Sequence, residues 1–390
     1  MNKIEKLIQE YCPDGVEYKE IGEIMSISRG ASPRPINKYL TNSTDGIPWI
    51  KIGDVKINHR YITSTEQRIT EEGAKKSRFL KKGAFVLSNS MSFGRPYILA
   101  IDGCIHDGWI SIQDFENILL SSFLYYLLGS NSIQNYWKQK ASSGTVQNLN
   151  SDIVRATLIP LPPLSVQQEI ISILDKFTQL EKELNAEHEA RCKQYEFYRD
   201  QLLDFEEKDV DWKTLEEISL NLDSRRKPVK GSSRVSGIYP YYGASGIVDY
   251  VNDYIFDGDY LLISEDGANL LARKTPITFS ITGKTWVNNH AHVLEFSNYA
   301  TRRFVEFYLN SIDLSIYISG AAQPKLNQEN LNKILIPIPP LSEQERIVSI
   351  LDKFDALVND TKIGIPAEIE ARRKQYEYYR NKLLTFGEYA

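Results

Sequence analysis

Three cysteines in 390 residues, Cys12, Cys104 and Cys192, are too few and too scattered for a disulfide framework, and none stands in a CxxC pair that would suggest zinc. No apolar run reaches the roughly 18 residues of a membrane-spanning helix. Met1 to Glu10 is polar and amphipathic rather than shaped like a signal peptide, so the expectation is a cytoplasmic protein with no membrane association. Catalytic signatures are also scarce. Gly283-Lys284-Thr285 ends like a phosphate-binding loop, but the first glycine of that loop would have to occupy position 278, which is Thr278. A glycine-rich strand-to-helix fingerprint and an Asn/Asp-Pro-Pro-aromatic segment are both missing, which argues against S-adenosylmethionine chemistry in this chain. The reading is of a chain without catalysis, cofactor or metal of its own.

An excess of positive charge is lacking too. The net charge of −5 is unfavourable for a nucleic-acid binder, whose affinity rests largely on phosphate neutralisation. The acidity is local: the net charge is +3 over residues 1–164, −6 over 165–209, and −1 in each of 210–341 and 342–390. A basic face on each of two globules is compatible with that distribution, with weak binding by the chain alone and part of the electrostatics left to partners. At 42% hydrophobic and 25% charged, the chain has material for two cores.

What the sequence has in abundance is itself. Ile159-Pro160-Leu161-Pro162-Pro163-Leu164-Ser165 returns as Ile336-Pro337-Ile338-Pro339-Pro340-Leu341-Ser342, 177 residues later. At the same offset Ile173-Leu174-Asp175-Lys176-Phe177 returns as Ile350-Leu351-Asp352-Lys353-Phe354. Lys193-Gln194-Tyr195-Glu196-Phe197-Tyr198-Arg199 matches Lys374-Gln375-Tyr376-Glu377-Tyr378-Tyr379-Arg380 at offset 181, so the second copy holds four extra residues between the blocks. Fainter echoes link Val16–Lys19 to Val210–Lys213, and Ser143-Gly144 through Asn150 to Ser319-Gly320 through Asn327. Near-verbatim helical blocks beside drifted globules suggest one constant task, holding a common partner, and one variable task, reading different targets.

From Ser165, read as an N-cap after a proline-rich stop, apolar or aromatic residues recur at seven-residue steps: Ile170, Phe177 and Leu184, then Tyr198 and Phe205, with Arg191 interrupting. A helix to Asp204 would be roughly 60 Å long and needs a partner along its length. The second copy supplies one through Ile347, Phe354, Tyr379 and Phe386, with a break expected at Gly364 and Pro366. Antiparallel pairing relates the copies by a pseudo-twofold axis and makes a gauge with a reading head at each end. The fold class is therefore α+β: two globular domains separated by an antiparallel coiled coil of two long helices. The boundaries read as residues 1–164, 165–209, 210–341 and 342–390. Strands are expected at Gly46–Ile52, Gly83–Leu87, Tyr260–Ile263 and His292–Phe296, and helices at Ser121–Leu128 and Arg302–Asn310.

The Pro-Leu-Ser, Ile-Leu-Asp-Lys-Phe and Lys-Gln-Tyr-Glu-x-Tyr-Arg blocks resemble the conserved regions of type I restriction-modification specificity subunits, over essentially the whole chain. Tyr241-Tyr242-Gly243-Ala244-Ser245-Gly246 and Leu261 through Asn269 resemble a target recognition domain of that family, and Asp107-Gly108-Trp109 and Asn288 through His292 resemble variants of one of its strand regions. The resemblance implies a non-catalytic subunit whose two domains read the halves of a bipartite, asymmetric site in double-stranded DNA. It also implies that the helices set the spacing and hold two methyltransferase subunits, and that endonuclease/translocase subunits join them. The alternatives are a partner that fuses restriction and methylation in one polypeptide, a DNA-modifying enzyme, and a coiled-coil scaffold that does not bind DNA.

Loop residues with suitable donors are the candidates for DNA contact: Arg29, Arg34, Arg60, Ser90, Arg95, Ser143, Thr145 and Gln147 in the first copy, and Arg225, Arg226, Lys227, Lys230, Tyr242, Asn269, Arg273, Gln323 and Lys325 in the second. The same residue types are equally at home on any solvated loop. Gln147 and Gln323 rank first because each follows a repeated Ser-Gly loop. Lys75, Lys76, Arg78, Lys81 and Lys82 suit a solvated face or phosphates better than bases. His290 and His292, two apart, could share a strand face and a metal, but a structural or DNA-facing role is favoured in the absence of a third ligand. Glu265-Asp266 beside Gly267 reads as a turn rather than as an acid/base pair.

Overall fold

The computed structural model describes residues 3–55, 59–90, 92–141, 148–206, 208–266, 269–273, 275–320 and 323–387. They divide into two compact units, Met1–Glu183 with Glu370–Ala390, and Leu184–Ile369. Each unit therefore combines one globule with the first part of the helical region that follows it and a length of helix from the other copy.

In the first unit a five-stranded sheet runs in the order Ser26–Arg29, Trp109–Gln113, Phe85–Ser88, Pro96–Leu99, Tyr61–Ile62. Phe85–Ser88 and Pro96–Leu99 are buried along their whole length because the sheet is covered on both faces, so their sequences run apolar without alternating. Phe85, Leu87, Ile110 and Ile112 pack with Phe123, Leu124 and Leu127 of the helix Ser121–Leu128, and with Trp137 of the helix Asn131–Ala141. The alternate residues, Val86, Tyr97, Leu99 and Trp109, join Ile50, Ile62 and Leu80 on the opposite face. A second five-stranded sheet holds Leu40–Thr41, Gln67–Ile69, Ile47–Ile50, Gly103–Ile105 and Arg78–Leu80 in that order.

The second unit has a six-stranded sheet: Leu220–Asn221, Ala291–Glu295, Phe256–Ser264, Thr278–Val287, Ser236–Gly243, Gly246–Val251. Its first four strands reproduce the order and antiparallel pairing of the first four in the other unit. A shared four-stranded sheet thus lies behind the faint resemblance of the globules. The helix Tyr299–Ser311 packs Phe304, Val305 and Leu309 against Leu261, Ile263 and Leu294. The expected strands and helices lie within or across these elements, their ends shifted by a few residues.

The repeated tails of the globules pair with their heads. Tyr18–Glu20 lies antiparallel to Leu158–Pro160, and Asp211–Thr214 antiparallel to Leu335–Ile338. The first long helix, Leu164–Leu203, is continuous over 40 residues. Its second-copy counterpart is two helices, Leu341–Asn359 and Ile365–Leu383. At the expected break, a side chain on Gly364 would place its Cβ 2.5 Å from the Ala356 carbonyl oxygen. Pro366 falls in the first turn of the next helix, where its missing N–H costs no bond.

One expectation fails at the start of the first helix. Ser165 is not the cap: the helix includes Leu164, and the Gln167 amide donates to the Pro163 carbonyl at 3.0 Å. The end is fixed instead by the Gln167 side chain, which has 0% exposure. Its Nε2 donates to the carbonyls of Ile118 (3.0 Å) and Pro162 (2.9 Å), and its Oε1 accepts from the Leu120 amide at 2.8 Å. Gln344, 177 residues later and 3% exposed, donates to the Pro339 carbonyl at 2.8 Å and accepts from Thr301 Oγ1 at 2.9 Å.

The repeated blocks meet reciprocally. In the first unit Phe177 stacks on Tyr379 (5.6 Å between centroids) and tilts against Tyr376, while Arg373 pairs with Glu181 at 2.6 Å. In the second, Phe354 stacks on Tyr198 (5.7 Å) and tilts against Tyr195, and His188 meets the Val358 carbonyl at 2.8 Å. Residue numbers rise on one helix as they fall on the other in both units, so each pairing is antiparallel. Asp175 and Asp352 tie these helices to the globules: Asp175 accepts from Tyr126 Oη at 2.5 Å, and Asp352 accepts from Tyr299 Oη at 2.7 Å and pairs with Arg303 at 2.7 Å. Among the described residues, no helix is long and apolar enough to cross a membrane.

Candidate nucleic-acid interface

The two globules build the same clasp at the ends of their equivalent central strands. In the first unit the Asn89 amide donates to the Gly108 carbonyl at 3.0 Å, and the Asn89 carbonyl accepts from the Leu149 amide at 2.8 Å. In the second unit Glu265 donates to the His290 carbonyl at 2.9 Å and accepts from the Leu326 amide at 2.8 Å. Leu149 and Leu326 end the repeated Ser-Gly loops. The clasp sets three segments side by side: a strand end, the turn before the next strand, and the chain leaving the repeated loop.

Around the first clasp, Asp107 collects donors. Ser32 Oγ donates to its Oδ1 at 2.7 Å, His106 Nε2 lies 3.3 Å from the same oxygen, and Arg34 Nη2 lies 3.7 Å from Oδ2. The Asp107 carbonyl accepts from Arg29 Nε at 3.1 Å and Asn89 Nδ2 at 3.4 Å. The Ser32 hydrogen bond, with the charges of His106 and Arg29, holds the Asp107 carboxyl below the usual range against the opposing effect of its burial. Gly30 makes this proximity possible: a Cβ there would fall 2.1 Å from the His106 carbonyl oxygen. Gly30→Ala is therefore expected to push the 105–108 turn away at an overpacking cost of about 1–3 kcal/mol. Amide hydrogen exchange at Gly108 and Trp109 should accelerate at least about tenfold; unchanged exchange would show that the turn is not held by this approach.

The second clasp carries a buried ion cluster. Arg226 Nη1 lies 2.5 Å from Glu265 and its Nη2 3.2 Å from Asp223, while Lys325 pairs with Glu265 at 2.9 Å. His292, with no exposed surface, places Nδ1 at 2.6 Å from Asp223 and Nε2 at 2.7 Å from the Leu326 carbonyl. Both ring nitrogens are thus engaged, one with a carboxylate and one with a backbone carbonyl. Burial pushes the Asp223 and Glu265 carboxyls up. The His292 hydrogen bond and charge at Asp223, and the Lys325 and Arg226 hydrogen bonds at Glu265, outweigh it and leave both below their ordinary values. Asp223, Glu265 and His292 bring their ligand atoms within 4.8 Å of one another, but the Arg226 guanidinium stands among them and supplies the cation. His290 is separate, pairing with Asp266 at 2.8 Å on the half-exposed rim.

The candidate contacts accordingly fall into groups. Arg29, Arg34 and Ser90 lie at the first clasp with Arg29 and Arg34 exposed, whereas Arg95 is exposed at the start of Pro96–Leu99. Arg60 faces inward, its side chain 19% exposed, against the rings of Tyr125 (4.5 Å) and Tyr126 (5.1 Å) and 3.5 Å from Asp175. Ser143, Thr145 and Gln147 lie outside the described residues. In the second unit Lys227, Lys230 and Gln323 are exposed, and Lys325 is exposed but paired with Glu265. Arg225 lies over the Phe256 ring and donates to the Ile255 carbonyl at 3.0 Å. Tyr242 is half-buried against Phe279, and burial raises its hydroxyl pKa.

Three residues chosen as loop donors are engaged in structural bonds. Arg226 belongs to the ion cluster. Asn269 closes a turn, donating to the Thr275 carbonyl at 2.9 Å and accepting from its amide at 3.2 Å. Arg273, at φ +49°, donates to the Ile312 carbonyl, and burial lowers its pKa. Glu265 follows the end of the strand Phe256–Ser264 and its carboxylate joins the cluster, whereas the turn expected beside Gly267 falls outside the described residues. In the basic run of the first globule, Lys76 is bonded to Tyr39 and Lys81 pairs with Asp102 at 2.8 Å. Nothing in the sequence marks Ser32, Asn89 or Asp223 as site residues; the one signal nearby is that Asp107-Gly108-Trp109 and Asn288 through His292 resemble variants of one strand region.

Residues 13–190 and 207–371 match the family described as the type I restriction modification DNA specificity domain. The chain belongs to this family. It is 28% identical over 390 aligned residues to the type I restriction enzyme EcoprrI specificity subunit of Escherichia coli, covering 92% of each chain. It is 42% identical over 184 residues to the putative type I restriction enzyme specificity subunit S.HindORF215P of Haemophilus influenzae, covering 46% of this chain and 47% of that one. The fold is similar to the type I restriction-modification S subunit of M. genitalium, with TM-score 0.57 at 17% identity over 95% of this chain and 96% of that one. It is also similar to a chain from a structure of the assembly and conformational transition of the type I R-M system, with TM-score 0.67 at 16% identity over 95% and 98%.

Proposed function

We propose that the chain is the non-catalytic recognition subunit of a type I restriction-modification complex, and that each globule reads one half of a bipartite, asymmetric site in double-stranded DNA. The observation that carries this reading is the clasp formed twice by different residues. The backbone scaffold is constant, while the side chains it presents differ: Arg29, Arg34 and Ser90 in one globule, Lys227, Lys230 and Gln323 in the other. A constant scaffold with variable donors is what two different half-sites require. Arg60, Arg226, Asn269 and Arg273 then shape the heads from within, whereas Ser143, Thr145 and Gln147 remain candidates by their place in the repeated loop.

The paired helices serve in this reading as spacer and as the dock for two methyltransferase subunits, with endonuclease/translocase subunits completing the assembly. The near-verbatim repetition of surface as well as buried helical residues supports one kind of partner bound twice. Methylation and cleavage belong to those partners, and the chain's work is cytoplasmic. Methylome sequencing of cells with and without the gene is expected to show one bipartite motif that depends on it. Seven residues inserted into Leu164–Leu203 should change the spacer of that motif and leave both half-site sequences unaltered. Altered half-sites at an unaltered spacer would refute the assignment of the helices, and methyl transfer or cleavage by the purified chain alone would refute the non-catalytic role.

A further inference from the structure

The first unit has a cavity of about 490 Å³ whose wall includes Phe93, Arg95, Tyr125, Lys138, Tyr376 and Arg380. Its size is ordinary for a small-molecule site. Among the described residues, no carboxylate lines it. Arg60 lies behind the wall on the face of Tyr125, and among the described residues its one acidic neighbour at ion-pair distance is Asp175, at 3.5 Å. Buried Nε and Nη2 of Arg60 and Nε of Arg380 make no hydrogen bond to another described residue. Arg380 is held in place by Asn131, to which its Nη2 donates at 2.9 Å, and by the Tyr376 ring at 5.4 Å.

The internal repeat supplies a control. Tyr195 and Arg199, the counterparts of Tyr376 and Arg380, line a cavity of about 470 Å³ in the second unit, together with Arg273, Arg303, Glu306 and Asp355. There carboxylates stand in the wall: Arg303 pairs with Glu306 at 2.5 Å and with Asp355 at 3.3 Å, while Arg199 pairs with Asp200, outside the wall, at 2.7 Å. The same place in the fold holds two carboxylates in one unit and, among the described residues, none in the other. Neither the repeat nor the packing of the helices requires the difference, because Phe354 stacks on its tyrosine as Phe177 does on its own.

We propose that the cavity of the first unit binds a free nucleoside phosphate, its phosphate held by Arg95 and Arg380 and its base laid against the rings of Tyr125, Tyr376 and Phe93. Guanidinium groups give charge-assisted, directional bonds to phosphate oxygens. Aromatic faces accept any base by stacking. A cationic cavity without rings would take inorganic phosphate equally well, so the ring-lined wall makes a specific demand.

The test is calorimetric titration of the full chain with AMP and with inorganic phosphate. AMP should bind with one-to-one stoichiometry and at least about tenfold more tightly than phosphate. Arg380→Gln should weaken it at least about tenfold. Arg95→Gln, an exposed position whose replacement leaves the fold intact, should do the same, while Arg199→Gln in the second unit leaves binding unchanged. Absence of AMP binding, equal affinity for AMP and phosphate, or unchanged binding in Arg95→Gln would overturn the proposal. Displacement of AMP by a short DNA duplex would overturn the assignment to a free nucleotide and give the site to the DNA backbone.

Discussion

Replacing Gln167 by Leu is expected to destabilise the first unit by about 3 kcal/mol or more. The side chain satisfies three backbone groups, at Ile118, Leu120 and Pro162, none of which the leucine can serve. Each buried group left without a partner costs about 1–3 kcal/mol, and the similar volume of leucine recovers only part of it by burial. The helix start and the segment leading into Ser121–Leu128 are tied through this one amide, so both should loosen together. Hydrogen exchange followed by mass spectrometry checks this: faster exchange is expected at Leu120 and in the first turns of Leu164–Leu203, with the second unit unaffected. Gln344→Leu should produce a milder version in the second unit, where the amide serves one backbone carbonyl and Thr301 Oγ1. Equal losses at the two positions would show that the count of satisfied groups does not control the effect.

Arg226→Met is the second large expectation, at about 3–5 kcal/mol, because it removes the central cation from two buried carboxylates. Asp223 and Glu265 are only 5% and 10% exposed at their side chains. His292 and Lys325 remain, but Lys325 pairs with Glu265 alone and His292 stands 3.9 Å from Glu265, against 2.5 Å for the guanidinium. The pH dependence provides a sharper check. Both carboxyls lie below their ordinary values in the folded chain, so their contribution is fully present above about pH 5 and is lost as pH falls through about 4 and below. Urea unfolding of the native second unit should weaken on acidification across that window. In Arg226→Met the two pKa values rise toward those of the unfolded chain, and the acid-dependent loss should shrink. A variant with an unchanged pH slope would mean that His292 and Lys325 alone set the carboxyl pKa values.

The repeat made the architecture legible, and the reason is physical. A helix that must find a partner along its length constrains its seam, so Phe177 with Tyr376 and Tyr379, and Phe354 with Tyr195 and Tyr198, survived as recognisable blocks. The strand ends were harder to see. Asn89 and Glu265 occupy the same position, but the clasp uses their backbone groups and leaves the side chains free to differ, so residue identity carries no trace of it. Loop arginines pose the converse problem. An arginine on a loop looks the same whether it faces solvent, as Arg34 does, or fills an acidic hole, as Arg226 does. Its role depends on Asp223 and Glu265, brought together by the sheet rather than by the sequence. Ser165 misled because a serine after prolines has the chemistry of a cap, while the actual tether, Gln167, lies two residues further on and reaches back.

The reciprocal contacts of the helices bear on heredity. Phe177 finds its tyrosines in the second copy's block, and Phe354 finds the same pair of tyrosines in the first. A crossover between genes within the shared Pro-Pro-Leu-Ser stretch would deliver a foreign globule with a helix that still meets the aromatic neighbours it needs. New specificities could then arise by exchanging whole heads in a single genetic event, without waiting for the joints to adapt.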